Sequence, residues 1–193
     1  MLGADFGRTP AVAIAQENSF GSWVFFDEFT SEDMSAITFV PELKKYLAAN
    51  YAGYKLKGYG DPSGDNRSQS TDDTPFRIFN TAGIPIKPTA SNDPTIRRAA
   101  MEVPLTEMSM DGKPRVIILP KCKMLRKGLA GGFCYKRIMV AGYEKYHDEP
   151  DKNKYSHIVE AAEYLLQGNG EGKGMLVKHS DNGYDDWSVP INT

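Results

Sequence analysis

The sequence predicts an α/β fold: a mixed central sheet of an antiparallel meander plus parallel strands, flanked by helices, with an added hairpin. Three observations lead there. The first thirty or so residues alternate short apolar runs with turn residues, a pattern of strands joined by short connections and hence antiparallel. A helical apolar period follows and runs into another short strand, which is how a crossover returns the chain parallel to its starting strand. The rest of the chain mixes helical periods with isolated short strands.

Taken in order, strands are expected over 2–6, 11–16 and 22–29, with turn-rich Glu17-Asn18-Ser19-Phe20-Gly21 between the last two. Ile37, Val40, Leu43, Tyr46 and Leu47 recur at helical spacing and predict an amphipathic crossover helix over 35–50. The next strand, 55–60, should then lie parallel to the first. Residues 64–73 are polar and read as a surface loop. A short helix over 76–82 stops near Gly83, and 84–86 reads as an edge strand, where Pro85 is tolerated. Asn92-Asp93-Pro94-Thr95 supplies a cap and a first-turn proline for a helix to about 105, with Arg97 and Arg98 near its start. A turn at 110–114, a strand over 115–119 and a short basic helix over 122–129, ended by Gly131-Gly132, come next. Residues 133–143 suggest the hairpin, 148–153 an acidic loop, and 155–167 a last helix before Gly168.

Length and composition bound the function classes. With 193 residues, 40% hydrophobic and 25% charged, the chain reads as one globular domain, a core over about 1–167 and a Gly-rich acidic tail over 168–193. No apolar run approaches the roughly 18 residues of a bilayer span, so no membrane partner is expected, and no secretory signal is visible at the start. Cys122 and Cys134 lack metal-site or redox spacing and read as reduced thiols. The formal net charge of −2 conceals segregation. Residues 1–86 carry 7 Lys/Arg against 11 Asp/Glu, 87–137 carry 11 against 4, and 138–193 carry 5 against 10. A basic segment beside acidic ones suits a polyanion-processing surface; a solvated basic face is the plainer reading of the same charges.

Two acids stand at strand ends beside glycines: Asp5 in Leu2-Gly3-Ala4-Asp5-Phe6-Gly7-Arg8-Thr9, and Asp61 in Gly58-Tyr59-Gly60-Asp61-Pro62-Ser63-Gly64. Such aspartates commonly form turns, but on parallel neighbouring strands they can share hard divalent cations. The last helix supplies a third acid. His157, Glu160, Ala161 and Tyr164 fall on one of its faces, and Ile158, Ala162 and Leu165 on another. An apolar stripe buried on the sheet would aim Glu160 at the sheet edge.

In this order, a G-x-D-F-G-R-T-type first strand, a G-D-P-S-G turn after the fourth and S-H-x-x-D/E-A-x-x-Y-L on a late helix resemble the nuclease domain of tailed-bacteriophage large terminases, over nearly the whole chain. The resemblance implies a ribonuclease H-like fold, a single nuclease domain over 1–193, and cleavage of concatemeric viral DNA during genome packaging. It implies that Asp5, Asp61 and Glu160 hold two divalent cations, Mg²⁺ or Mn²⁺, with Glu160 where the family often has Asp and its longer side chain still within reach. His157 resembles a histidine of some members and is expected to bind metal or phosphate; Asp148 and Asp151 are alternatives to Glu160. Oxygen ligands and the absence of a Cys/His cluster favour Mg²⁺ or Mn²⁺ over Zn²⁺.

Backbone phosphates of double-stranded DNA are expected to meet Arg8, Arg67, Arg97, Arg98, Lys121, Lys123, Arg126 and Lys127, with Lys136 and Arg137 extending the track. There is no G-x-x-x-x-G-K-S/T loop, whereas full-length terminases carry an ATPase before the nuclease. The expectation is therefore an excised C-terminal domain, partnered in the whole protein by that ATPase, the small terminase subunit and the portal, in the cytoplasm of an infected bacterial host. Alternatives are an actin/sugar-kinase-like phosphate-binding ATPase fragment, suggested by Asp5-Phe6-Gly7-Arg8-Thr9, another ribonuclease H-like enzyme such as a transposase or junction resolvase, and a non-catalytic DNA-docking module.

Overall fold

The computed structural model describes residues 1–7, 9–65, 73–139 and 144–174, the side chains of Asp65 and Asp148 excepted. Arg8, Arg67, the Asp148 side chain and most of the acidic tail thus lie outside the described residues. The meander forms as expected from β1 (Leu2–Asp5), β2 (Ala11–Glu17) and β3 (Trp23–Thr30), paired antiparallel. Helix α1 (Ala36–Asn50) then carries the chain to β4 (Gly58–Gly60), which lies parallel to β1. A second crossover through α2 (Pro75–Thr81) adds β5 (Ile86–Pro88), parallel to β4. Helix α3 (Pro94–Thr106) leads to the opposite edge, where β6 (Val116–Ile118) pairs parallel with β3. The strand order is β5-β4-β1-β2-β3-β6, with β1 and β4 adjacent.

Beyond β6 come α4 (Lys123–Lys127), a π-turn at Gly128–Gly132, a separate hairpin of β7 (Tyr135–Ile138) and β8 (Lys145–Pro150), and α5 (Ser156–Gly168). Gly131 has φ 112°, a conformation other residues adopt only with strain, so it can turn the chain out of α4 towards the hairpin. Asp93 caps α3 as its position suggests, its Oδ1 accepting from the Thr95 and Ile96 N–H groups at 2.8 and 3.2 Å.

The two sheet faces differ in side-chain size, and that difference places α5. On one face Leu2, Val12 and Ile14 meet Phe39, Val40, Leu43 and Phe79 of α1 and α2. The other face offers Ala11, Ala13 and Ala15 to Ala161, Ala162 and Leu165 of α5. Small residues on both partners bring the helix very close: a Cβ added to Gly3 would stand 2.0 Å from the Ala161 carbonyl oxygen. A bulge in β3 opposite Ile14 and Ala15 inserts Phe26, so that Phe25 faces α5 while Asp27 faces α1. The next residue, Glu28, accepts from the Met124 and Leu125 N–H groups and caps α4.

Three expectations need correction. Residues 148–153 are not one acidic loop: β8 extends to Pro150, and only a short link joins it to α5. The edge strand begins at Ile86 rather than at Ile84, whose side chain is buried in the core ahead of it. Ile37 is 55% exposed, because Phe39 rather than Ile37 fills the buried face of α1.

Candidate metal centre

The end of β1 positions Asp5, and the glycines around it make room for the site. Phe6 turns away to pack edge-on against Phe76 and Phe79, with ring centroids at 5.0 and 5.5 Å. It fits because Gly60 and Gly64 carry no side chain; a Cβ at Gly64 would lie 2.3 Å from the Phe6 ring. The glycines of the Asp61 motif therefore lock the end of β1 to the end of β4. Asp61 follows β4 directly, with its N–H donating to the Ala4 carbonyl at 3.2 Å and its Oδ1 accepting from the Ser63 N–H at 2.8 Å. It is at once a turn former and a wall of the cleft.

Asp5, Asp61, His157, Glu160, Arg97 and Lys152 line a cleft of about 410 Å³. Within it, single ligand atoms of Asp5, His157 and Glu160 all lie within 4.8 Å of one another. His157 Nδ1 is 2.6 Å from Asp5 Oδ2. That hydrogen bond raises the imidazole pKa above its usual 6.5, against the opposing effect of burial. Asp61 borders the same cleft but is not a member of this close group. Two carboxylates and an imidazole, with no thiolate, are a donor set that fits Mn²⁺ or Mg²⁺.

Helix α5 is buried on nearly every side, not along one stripe: Ser156 and Ile158 to Gln167 are all buried, and His157 alone in that run reaches solvent. Its acids are consequently paired. Arg97 of α3 donates Nε to Glu163 at 2.6 Å, Nη2 to Glu160 at 2.9 Å and Nη1 to the Tyr164 hydroxyl at 3.1 Å. Burial pushes the Glu163 carboxyl up to about 7, with Arg97 pulling it back. The same two carboxylates hold the Arg97 guanidinium charged against the cost of its own burial. Lys152, in the link between β8 and α5, also reaches Glu160 Oε1.

The expected phosphate track is thus altered. Arg97 is 8% exposed and committed to Glu160 and Glu163 of α5, so it borders the cleft as a buried tie and is not part of an open phosphate track. Lys121 pairs at 2.7 Å with Asp27 on the sheet face opposite α5. Arg98 bonds the Pro94 carbonyl and lies over the Tyr135 ring, tying the hairpin to α3. Lys136 and Arg137 pair with Asp151 and Glu144. These are exposed contacts of little individual weight that a phosphate can replace. Lys123, Arg126 and Lys127 remain exposed along an open groove on α4. Asp151, engaged by Lys136, does not join Asp5; Glu160 does. Lys152 had no sequence signal, since a lone lysine in a charged link carries no period or motif.

No protein-family model matches the sequence, and no curated protein matches it by sequence. Solved structures do resemble it. The nuclease domain of the large terminase of bacteriophage SPP1, crystallised with bound Mn, superposes with a TM-score of 0.56 at 12% identity, covering 87% of this chain and 85% of that one. A yeast mitochondrial Holliday junction resolvase superposes with a TM-score of 0.44 at 11% identity, covering 93% and 81%. The mixed sheet and the likeness to that SPP1 domain together give the chain a ribonuclease H-like α/β fold.

Proposed function

We propose that this chain is a metal-dependent DNA endonuclease domain, cutting concatemeric viral DNA during genome packaging. The convergence of Asp5, His157 and Glu160 on one point carries the proposal. Their ligand atoms come from a strand end and a buried helix, rigid elements that keep such a geometry.

In this reading Asp5, with Glu160 and Asp61 at its sides, holds two divalent cations, Mg²⁺ or Mn²⁺, and His157 orients Asp5 or joins it as a ligand. When bound, such a pair of ions lowers the pKa of an attacking water and stabilises the leaving 3′ oxygen. The chain's own residues do the rest. Asp5 and Glu160 supply the negative charge that gathers cations, Arg97 fixes the Glu160 side chain, and Gly7 leaves open space in front of His157 and Asp5. Exposed Lys123, Arg126, Lys127, Lys136 and Arg137 bear on phosphates and position the duplex without reading its sequence. Partners in the whole protein would be an ATPase domain, a small terminase subunit and a portal, in the cytoplasm of an infected bacterium.

Plasmid nicking tests this. Wild-type protein should nick supercoiled plasmid with Mn²⁺ or Mg²⁺ and not with EDTA. Asp5→Asn and Asp61→Asn should each lose more than about 100-fold, beyond the loss seen when only an outer partner of a metal ligand is removed, with circular dichroism unchanged. DNA retention without metal-dependent cutting would replace the enzyme with a docking module.

A further inference from the structure

Two cations share one oxygen of the buried Glu160 carboxylate, and they are unlike. The Arg97 side chain is 9% exposed and is also anchored by Glu163 and Tyr164. Lys152, whose side chain is 62% exposed, reaches the same Oε1 from solvent. Its position is a junction. It borders the acidic cleft with Asp5, His157 and Glu160, and it borders a second groove of about 620 Å³ with Lys136, His147, Glu149 and Asp151. An exposed ammonium holding a buried carboxylate is the weakest-held partner in this cluster. A divalent ion that takes Glu160 as a ligand must compete with it for the same carboxylate.

We propose that Lys152 is the exchangeable cation of this site: it neutralises Glu160 until a divalent ion takes that carboxylate, and the displaced ammonium then binds a phosphate of DNA lying along the hairpin groove. The proposal rests on the nuclease reading for its second half only. Lys152 is a positioning residue in the first state and a substrate contact in the second. Because its stem stands in solvent, replacing it leaves the buried Arg97–Glu163 network intact.

The test is calorimetric titration of Mn²⁺ into the full chain without DNA, for wild type, Lys152→Met and Lys152→Arg, beside plasmid cleavage at saturating Mn²⁺. Lys152→Met should bind Mn²⁺ about two- to fivefold more tightly, the weight of one exposed ion pair. It should also cleave about tenfold more slowly, the scale of an outer-partner loss. Lys152→Arg should keep near wild-type Mn²⁺ affinity and recover part of the rate. Equal or weaker Mn²⁺ binding by Lys152→Met overturns the exchange, and an unchanged rate overturns the phosphate contact. Wild-type Mn²⁺ binding that weakens on Glu160→Gln, without any cleavage, retires the nuclease reading while the exchange still stands on the titration. A wild-type chain that binds no Mn²⁺ overturns both.

Discussion

His157 Nδ1 and Asp5 Oδ2 are 2.6 Å apart, joining α5 to the end of β1. The bond to Asp5 raises the histidine pKa above 6.5. A raised folded-state value contributes stability that is complete below the unfolded value and is lost as pH rises through the folded one. In metal-free protein, His157→Gln should therefore cost more stability to urea at about pH 5.5 than at about pH 9. Equal losses at the two pH values would contradict the pairing. Since a coordinating imidazole must be neutral, Mn²⁺ affinity should rise over the same interval.

Arg97 bridges α3 to three residues of α5. Arg97→Met leaves two buried carboxylates without their fixed counter-charge and should cost about 3–5 kcal/mol. Arg97→Met combined with Glu163→Gln should cost less than the sum of the two, because one stranded charge is removed. Urea melts of the four proteins of the cycle measure this; strict additivity would mean the bridge is not a unit.

At Gly3 the sheet touches the helix backbone. A Cβ there would also meet Leu165 Cβ at 2.6 Å, and neither neighbour is a flexible side-chain end. Gly3→Ala should destabilise by about 3 kcal/mol or more, as overpacking does. It should also weaken Mn²⁺ binding, since α5 must move and carries His157 and Glu160 with it. A variant as stable as wild type would show that α5 seats less closely.

Asp27 is a buried acid unrelated to the cleft. Burial alone would raise its carboxyl, but bonds from Lys121, Tyr46 and Tyr51 and from the Glu28 N–H prevail and hold it below 3.8. A depressed value contributes stability present above the unfolded pKa and lost as pH falls through the folded one. Asp27→Ala should cost about 2–3 kcal/mol near neutrality, and the deficit should shrink below about pH 3.8. A deficit constant to about pH 2 would assign the loss to packing.

Much of this was legible in the sequence, where local pattern and tertiary placement agree. The meander, the crossover to β4 and the capped α3 follow from turns, periodicity and Asp93-Pro94. His157 and Glu160 were legible as neighbours one helical turn apart. Arg97 was misplaced because helical spacing tells which residues share a face but not that α3 would press that face onto α5. The second hairpin strand escaped because Lys145-Tyr146-His147-Asp148-Glu149-Pro150 has no alternation of apolar and polar residues, its described side chains standing largely in solvent. Ile84 looked like strand by composition, yet Pro85 follows it and ladder pairing begins one residue later.

The contact between Asp5 and His157 spans 152 positions of the chain, and its consequence is temporal as well as spatial. A growing or partly unfolded chain can build the meander from nearby residues, but it holds no ligand triad until α5 docks on Gly3 and the alanines of β2. An ion that needs all three ligands binds only the finished fold and stabilises that form alone. Metal affinity thereby reports whether β1 and α5 have met, and a fragment lacking α5 should be blind to Mn²⁺ however well its sheet has formed.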